Sequence, residues 1–195
     1  METKNIGIYV HIPFCKKKCE YCDFKSYAGK EDLIERYIQC LIHEIREVGE
    51  GNKLDYENGI DNLAIVKTIY IGGGTPSIIP SKYISSVLDV IKRSFTLHEN
   101  VEITIEINPG TINQEKLEVY KRSGINRLSI GLQETHDNLL KEIGRIHLYK
   151  DFINTYNMAR NFGFDSINVD LMQGLPHQSI NDLDESIDRI MELKP

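Results

Sequence analysis

The sequence has no stretch approaching the ~20 consecutive apolar residues that span a bilayer, so none of its 195 residues reads as a transmembrane helix. Its N-terminus, METKNIGIYVHIPF, lacks both a basic n-region and a long apolar core, so no secretory signal is visible. Basic charge is scarce. Against 29 Asp and Glu there are 23 Lys and Arg, and the net charge of −6 argues against the basic face of a nucleic-acid binder. There is no low-complexity tract and no repeat of identity. Cysteines number only four, and three of them fall between Cys15 and Cys22. In a reducing compartment such a cluster more often binds metal than forms disulfides. A cytoplasmic protein is expected.

The hydrophobic share of 41% and charged share of 27% are ordinary for one globular domain with a buried core. What repeats is a pattern: a short β-like run, a Gly/Pro turn, a helical run. Strands are expected at 6–12, 65–71, 101–107, 126–132 and 166–172. Helices are expected at 30–48, 80–94, 113–123, 148–162 and 179–192. This alternation suggests parallel βαβ units. The segment 50–63, rich in Gly, Asn and acidic residues, is expected to be the least ordered.

Successive strand side chains point to opposite faces. Val101, Ile103, Ile105 and Ile107 therefore oppose Glu102, Thr104 and Glu106, and Leu128, Ile130 and Leu132 oppose Arg127, Ser129, Gly131 and Gln133. Ile167, Val169 and Leu171 oppose Ser166, Asn168 and Asp170, and Tyr9 and His11 oppose Ile8, Val10 and Ile12. A sheet with helices on both faces tends to be apolar throughout. Strands apolar on one side only, in a parallel βα pattern, fit a partial (βα) barrel with helices outside and a polar lumen that holds a ligand. An antiparallel sheet with one wet face gives the same alternation and stays open as the alternative.

Cys15-Lys-Lys-Lys-Cys19-Glu-Tyr-Cys22 has the spacing C-x3-C-x2-C and directly follows the first strand. Soft thiolates select iron–sulfur clusters, zinc or Cu(I). A saturated cubane takes one cysteine per iron, so three ligands would leave one iron open. A structural zinc site would need a fourth ligand, for which His11 or Cys40 could serve. The surrounding residues, Tyr9-Val-His11-Ile-Pro13-Phe-Cys15 and Tyr21-Cys22-Asp23-Phe24, resemble the radical S-adenosylmethionine (SAM) superfamily, within it the oxygen-independent coproporphyrinogen III oxidase-like family. The resemblance continues through Ile71-Gly72-Gly73-Gly74-Thr75-Pro76-Ser77, Glu106-Ile-Asn108-Pro109-Gly110, Asn126 to Gln133, Gly144-Arg145-Ile-His147 and Asp170-Leu-Met-Gln-Gly174-Leu-Pro176.

That resemblance implies a [4Fe–4S] cluster on Cys15, Cys19 and Cys22, with SAM chelated at the open iron and cleaved after one-electron reduction. The cofactors carry the difficult chemistry, and the protein orients and shields them. It further implies that the loop bearing Gly73, Gly74 and Thr75 contacts the methionine end of SAM and that Arg145 pairs with the SAM carboxylate, which suits its planar fork. Tyr9 would lie close to SAM and the cluster. Glu106, Gln133 and Asp170 would make polar contacts to its amino group and ribose, the assignment among them being open. Bland readings stand beside these: a tight turn for the glycines, a solvated helix end for Arg145, a core aromatic for Tyr9. Cys40, beside the apolar stripe of 31–48, is expected to be a buried structural thiol. Lys16–Lys18 read as a solvated loop or as a docking patch for an acidic electron donor such as flavodoxin or ferredoxin.

Coproporphyrinogen dehydrogenases of this family add a cysteine two residues after the third; here that position is Phe24. The Cys-Asp-Phe form resembles the HemW-type haem chaperones and implies binding of haem or porphyrin and transfer of haem to client proteins; coproporphyrinogen oxidation is one alternative, and a non-catalytic metal-binding fragment without SAM chemistry is another. Gln133-Glu134-Thr135 departs from the Gln-Ser-Phe of many relatives. Five βα units of a six-unit, three-quarter barrel are counted. Residues 1–195 thus read as a radical SAM core lacking its sixth strand and a C-terminal domain.

Overall fold

The computed structural model describes residues 4–50 and 64–195; apart from Glu50, the segment expected to be least ordered lies outside them. In chain order the elements are β1 (Asn5–Ile12), β2 (Phe14–Cys15), β3 (Tyr27–Ala28), α1 (Ile34–Gly49), β4 (Ile65–Gly73), α2 (Ser81–Ser94), β5 (Thr96–Ile107), α3 (Gln114–Arg122), β6 (Arg127–Gln133), α4 (Asp137–Glu142), α5 (Tyr149–Asn161), β7 (Ser166–Leu171) and α6 (Ile180–Leu193). Each of the five expected strands and five expected helices has its counterpart. Four elements were not expected: the two-residue strands β2 and β3, the 3-10 turn Pro76–Ile78 and the six-residue α4.

β1, β4, β5, β6 and β7 form one sheet in that order, and every pairing is parallel. The antiparallel alternative is thereby overturned. Parallel neighbours need a crossover, which the helices supply, and all five strands end on the same side of the sheet. Aligned rungs carry the face separation expected from the alternation. Val10, Ile71, Ile105, Leu128 and Ile167 form one rung and all are buried. The next, on the opposite face, is Tyr9, Tyr70, Thr104, Arg127 and Ser166.

The apolar face meets the helices. Ile84, Val87, Leu88 and Ile91 of α2, Leu117 and Tyr120 of α3, and Phe152 and Tyr156 of α5 are buried in one core with the strand residues. Each such side chain contributes about 1.5–3 kcal/mol on burial. Helix ends are specified locally: the Asn113 side chain accepts from the Lys116 amide at the start of α3, and Ser179 and Asp182 form a capping box on α6. The sheet with helices on its apolar face is the five-unit portion of a (βα) barrel, and its polar face bounds a cavity.

One expectation on α1 needs correction. Ile34, Ile38 and Ile45 form its buried stripe, whereas Cys40 is exposed. At 100° per residue, Cys40 is rotated off the line through Ile38, Leu41 and Ile45 toward solvent. It is neither a buried structural thiol nor placed to complete a metal site.

Candidate cofactor site

A cavity of about 460 Å³ opens at the C-terminal ends of the strands, on the polar face. Cys15, Cys19 and Cys22 all line it. So do Gly73, Gly74 and Thr75 from the end of β4, and Glu106, Gln133 and Asp170 from the ends of β5, β6 and β7; Arg145 approaches from the loop after α4. Ten of the eleven residues singled out in the sequence therefore meet around one space. Tyr9 is the exception. Its ring is exposed and stacks on Tyr70, 6.1 Å between centroids, and Tyr70 is the one that lines the cavity.

Backbone bonds lock the cysteine loop to the barrel. The Gly74 amide donates to the Ile12 carbonyl (2.9 Å) and the Thr75 amide to that of Phe14 (2.8 Å), while Glu20 donates to Ile143 (3.2 Å) and Tyr27 to Pro13 (2.8 Å). The glycine at 74 is required by close approach: a Cβ there would lie 2.7 Å from the Phe14 oxygen and 2.9 Å from the Cys15 sulfur.

Each of the three sulfurs has a hydroxyl or guanidinium group nearby, donating in the case of Cys15 and Cys19. Thr75 Oγ1 lies 3.7 Å from Cys15, Arg145 Nη1 3.6 Å from Cys19, and Ser26 Oγ 4.0 Å from Cys22. Such donors stabilise thiolates and tune the potential of what they bind.

Among the described residues no group of His, Cys, Asp or Glu converges to hold a single metal ion. His11, a candidate fourth zinc ligand, has both ring nitrogens engaged: Nδ1 with the Tyr9 hydroxyl (3.1 Å) and Nε2 with the Lys25 carbonyl (2.9 Å). A cubane makes a different demand, because each thiolate takes its own iron corner. Three cysteines bordering a cavity with no fourth thiolate beside them fit it.

The rest of the wall is polar and held in place. Glu106 accepts from the Tyr70 hydroxyl (2.9 Å) and the Gly73 amide (3.0 Å), which fixes the glycine loop; burial raises its pKa above the usual carboxylate value. Burial also pushes the Tyr70 and Tyr21 phenols up to about 12, so both remain neutral donors. Asp170 accepts from Asn168 (2.6 Å) and Ser129 (3.3 Å). Arg145 donates to the Gly131 carbonyl, to Asn108 Oδ1 (3.0 Å) and to the Tyr21 hydroxyl (3.5 Å), yet its buried Nε has no partner. A guanidinium held in the wall of an open cavity suits an anionic ligand group.

Tyr70, Asn108, Ser129 and Asn168 carry this arrangement but were not assigned roles from sequence. The strand alternation already set Ser129 and Asn168 on the lumen face, and two-residue spacing from Gly72 puts Tyr70 there. Asn108 lay in plain view in Glu106-Ile-Asn108-Pro109-Gly110.

His147, last of the Gly-Arg-Ile-His motif, is buried with Nε2 on the Leu132 carbonyl (3.3 Å) and Nδ1 unpartnered. Burial, with Arg145 nearby, lowers its pKa to about 4 from 6.5. Folded protein holds it neutral, while the unfolded chain binds a proton below about pH 6.5. Stability should therefore fall between about pH 6.5 and 4, by up to about 3 kcal/mol. His136 acts in the opposite sense: although burial opposes its charge, hydrogen bonds to Glu134 and Glu185 raise its pKa, a contribution present at low pH and lost as pH rises. Urea unfolding at pH 7 and pH 5 should show a larger loss for wild type than for His147→Gln; equal losses would remove His147 as the cause.

Residues 9–190 match the family model described as Radical SAM superfamily, and the chain belongs to that superfamily. As a class, its members use a [4Fe–4S] cluster and SAM. Within it the chain is similar to proteins named as heme chaperones. It is 37% identical over 191 residues to the heme chaperone HemW of Haemophilus influenzae, covering 97% of this chain and 49% of that protein. It is 38% identical over 191 residues to the heme chaperone HemW of Escherichia coli, covering 97% and 48%. The solved structure of coproporphyrinogen III oxidase (HemN) from Escherichia coli, a radical SAM enzyme, matches with a TM-score of 0.86 at 29% identity, over 100% of this chain and 43% of that one. The chain thus spans about half the length of the curated relatives it matches.

Proposed function

We propose that the protein holds a [4Fe–4S] cluster on Cys15, Cys19 and Cys22, binds SAM in the adjoining cavity, and binds haem for transfer to client proteins. The observation that carries the first two parts is the meeting of three cysteines, the Gly73–Thr75 loop and Arg145 around one space. When bound, the reduced cluster supplies one electron for cleavage of SAM. The chain's own residues do the rest. Thr75, Arg145 and Ser26 support the sulfurs, Arg145 receives the SAM carboxylate, and Glu106, Gln133 and Asp170 offer acceptors to its amino and ribose groups. The exposed Lys16, Lys17 and Lys18 border the cysteines, where an acidic donor such as flavodoxin or ferredoxin would approach.

Haem binding rests on the similarity to the HemW proteins and on Phe24, which lines the cavity where a coproporphyrinogen dehydrogenase carries a further cysteine. A second reading, coproporphyrinogen oxidation, is favoured by the likeness to coproporphyrinogen III oxidase. One pair of assays separates them. Anaerobic, cluster-loaded protein titrated with haem should develop a saturable Soret band, and should yield no protoporphyrinogen from coproporphyrinogen with dithionite and SAM. Product without haem binding would reverse the choice.

A further inference from the structure

Next to Gln133 stands a carboxylate, Glu134, that the structure buries and surrounds with donors. Gln133 ends β6 with φ of 78°, a left-handed backbone that only a minority of non-glycine residues adopt. Its side chain faces the cavity, and its carbonyl accepts from the Met172 amide (2.9 Å). The following residue, Glu134, points the other way and is fully buried.

The Glu134 carboxylate accepts from the Thr135 amide (2.7 Å), the His136 amide (3.2 Å), His136 Nδ1 (2.9 Å), Gln178 Nε2 (2.6 Å) and the Ser186 hydroxyl. Burial alone would raise its pKa; these donors instead hold it below the usual carboxylate value. Gln178 also donates to the Met172 carbonyl (3.1 Å) and accepts from the Gly174 amide (2.8 Å). One carboxylate thus ties the turn after β6 to the loop after β7 and to α6. The two cavity-wall residues at this rim, Gln133 and Met172, hang from that knot.

We infer that Glu134 is a positioning residue for SAM: it clamps the β6–β7 rim so that Gln133 and the wall around Met172 are set before the ligand arrives. The inference rests on the SAM reading of the cavity. A rim ordered in advance spares binding the entropy of ordering it. Without the carboxylate, two backbone amides and the Gln178 and Ser186 side chains lose their shared acceptor, and Gln133 loses the turn that holds its left-handed backbone.

The test is SAM affinity, by equilibrium dialysis, of anaerobically reconstituted protein whose cluster content is measured in parallel. Glu134→Ala should raise the Kd about tenfold with cluster absorbance unchanged. Glu134→Gln, which keeps an acceptor and the shape, should recover most of that loss; a purely structural role would change the melting temperature and leave the Kd alone. Should Glu134→Ala not fold, Glu134→Gln and Gln178→Ala decide, with about threefold weakening expected of each. Wild-type affinity in the foldable variants overturns the role of Glu134. A cluster-loaded wild type that binds no SAM overturns the site reading beneath it.

Discussion

Replacing Cys19 by alanine should abolish the visible absorbance of the cluster after anaerobic reconstitution with iron and sulfide. Ligand count sets this outcome. Each thiolate holds its own iron corner, and among the described residues no other cysteine stands at the cavity, Cys40 being exposed on α1. With two thiolates left, nothing near the vacant corner replaces the third. Cys19 itself is neighboured by the Arg145 guanidinium (3.6 Å) and the Tyr21 hydroxyl, neither of which supplies an anionic sulfur. The same loss is expected for Cys15→Ala and Cys22→Ala, whereas Cys40→Ala should leave the spectrum unchanged. A normal [4Fe–4S] spectrum from Cys19→Ala would contradict the assignment.

Arg145→Ala should weaken SAM binding about 30-fold, which corresponds to about 2 kcal/mol for a charge-assisted hydrogen-bonded pair. The guanidinium lines the cavity and is anchored by the Gly131 carbonyl and Asn108, so it meets a ligand carboxylate with little rearrangement. Lysine restores charge but not the planar fork, so Arg145→Lys should fall between. Since Arg145 also donates toward the Cys19 sulfur, affinity must be compared at equal cluster content. Unchanged affinity in the alanine variant would remove Arg145 from the site.

Much of the barrel was legible because its two periodicities are clean. Ile103, Ile105 and Ile107 alternate with Glu102, Thr104 and Glu106, and the structure puts the isoleucines in the core while Glu106 lines the cavity. β5 begins at Thr96 rather than 101, because a register shift against β4 between Val66 and Thr68 accompanies the polar residues 98–100, where alternation fails. β2, β3 and α4 are too short to show any period. Cys40 marks a different limit: a stripe tells which line of a helix is buried but leaves the flanking positions undecided.

In the site, the motif residues met as expected, yet the network that orients them was not read. Tyr70 and Asn108 act through particular distances to Glu106 and Arg145, and the sequence of a strand or loop does not encode which polar neighbour a side chain finds across the lumen. Tyr9 shows the converse. Its face on β1 followed from alternation, but it stands at the sheet's edge strand, outside Tyr70, and misses the cavity. Glu134 looked like a blemish beside a ligand contact; only the position of α6 reveals it as the acceptor for that rim.

The most direct measurement is electron paramagnetic resonance of the anaerobically reconstituted, dithionite-reduced protein with and without saturating SAM, alongside its metal content. The account predicts about four irons per chain and a reduced-cluster signal whose g-values shift when SAM is added. Zinc in place of iron, or a cluster signal indifferent to SAM, would contradict it.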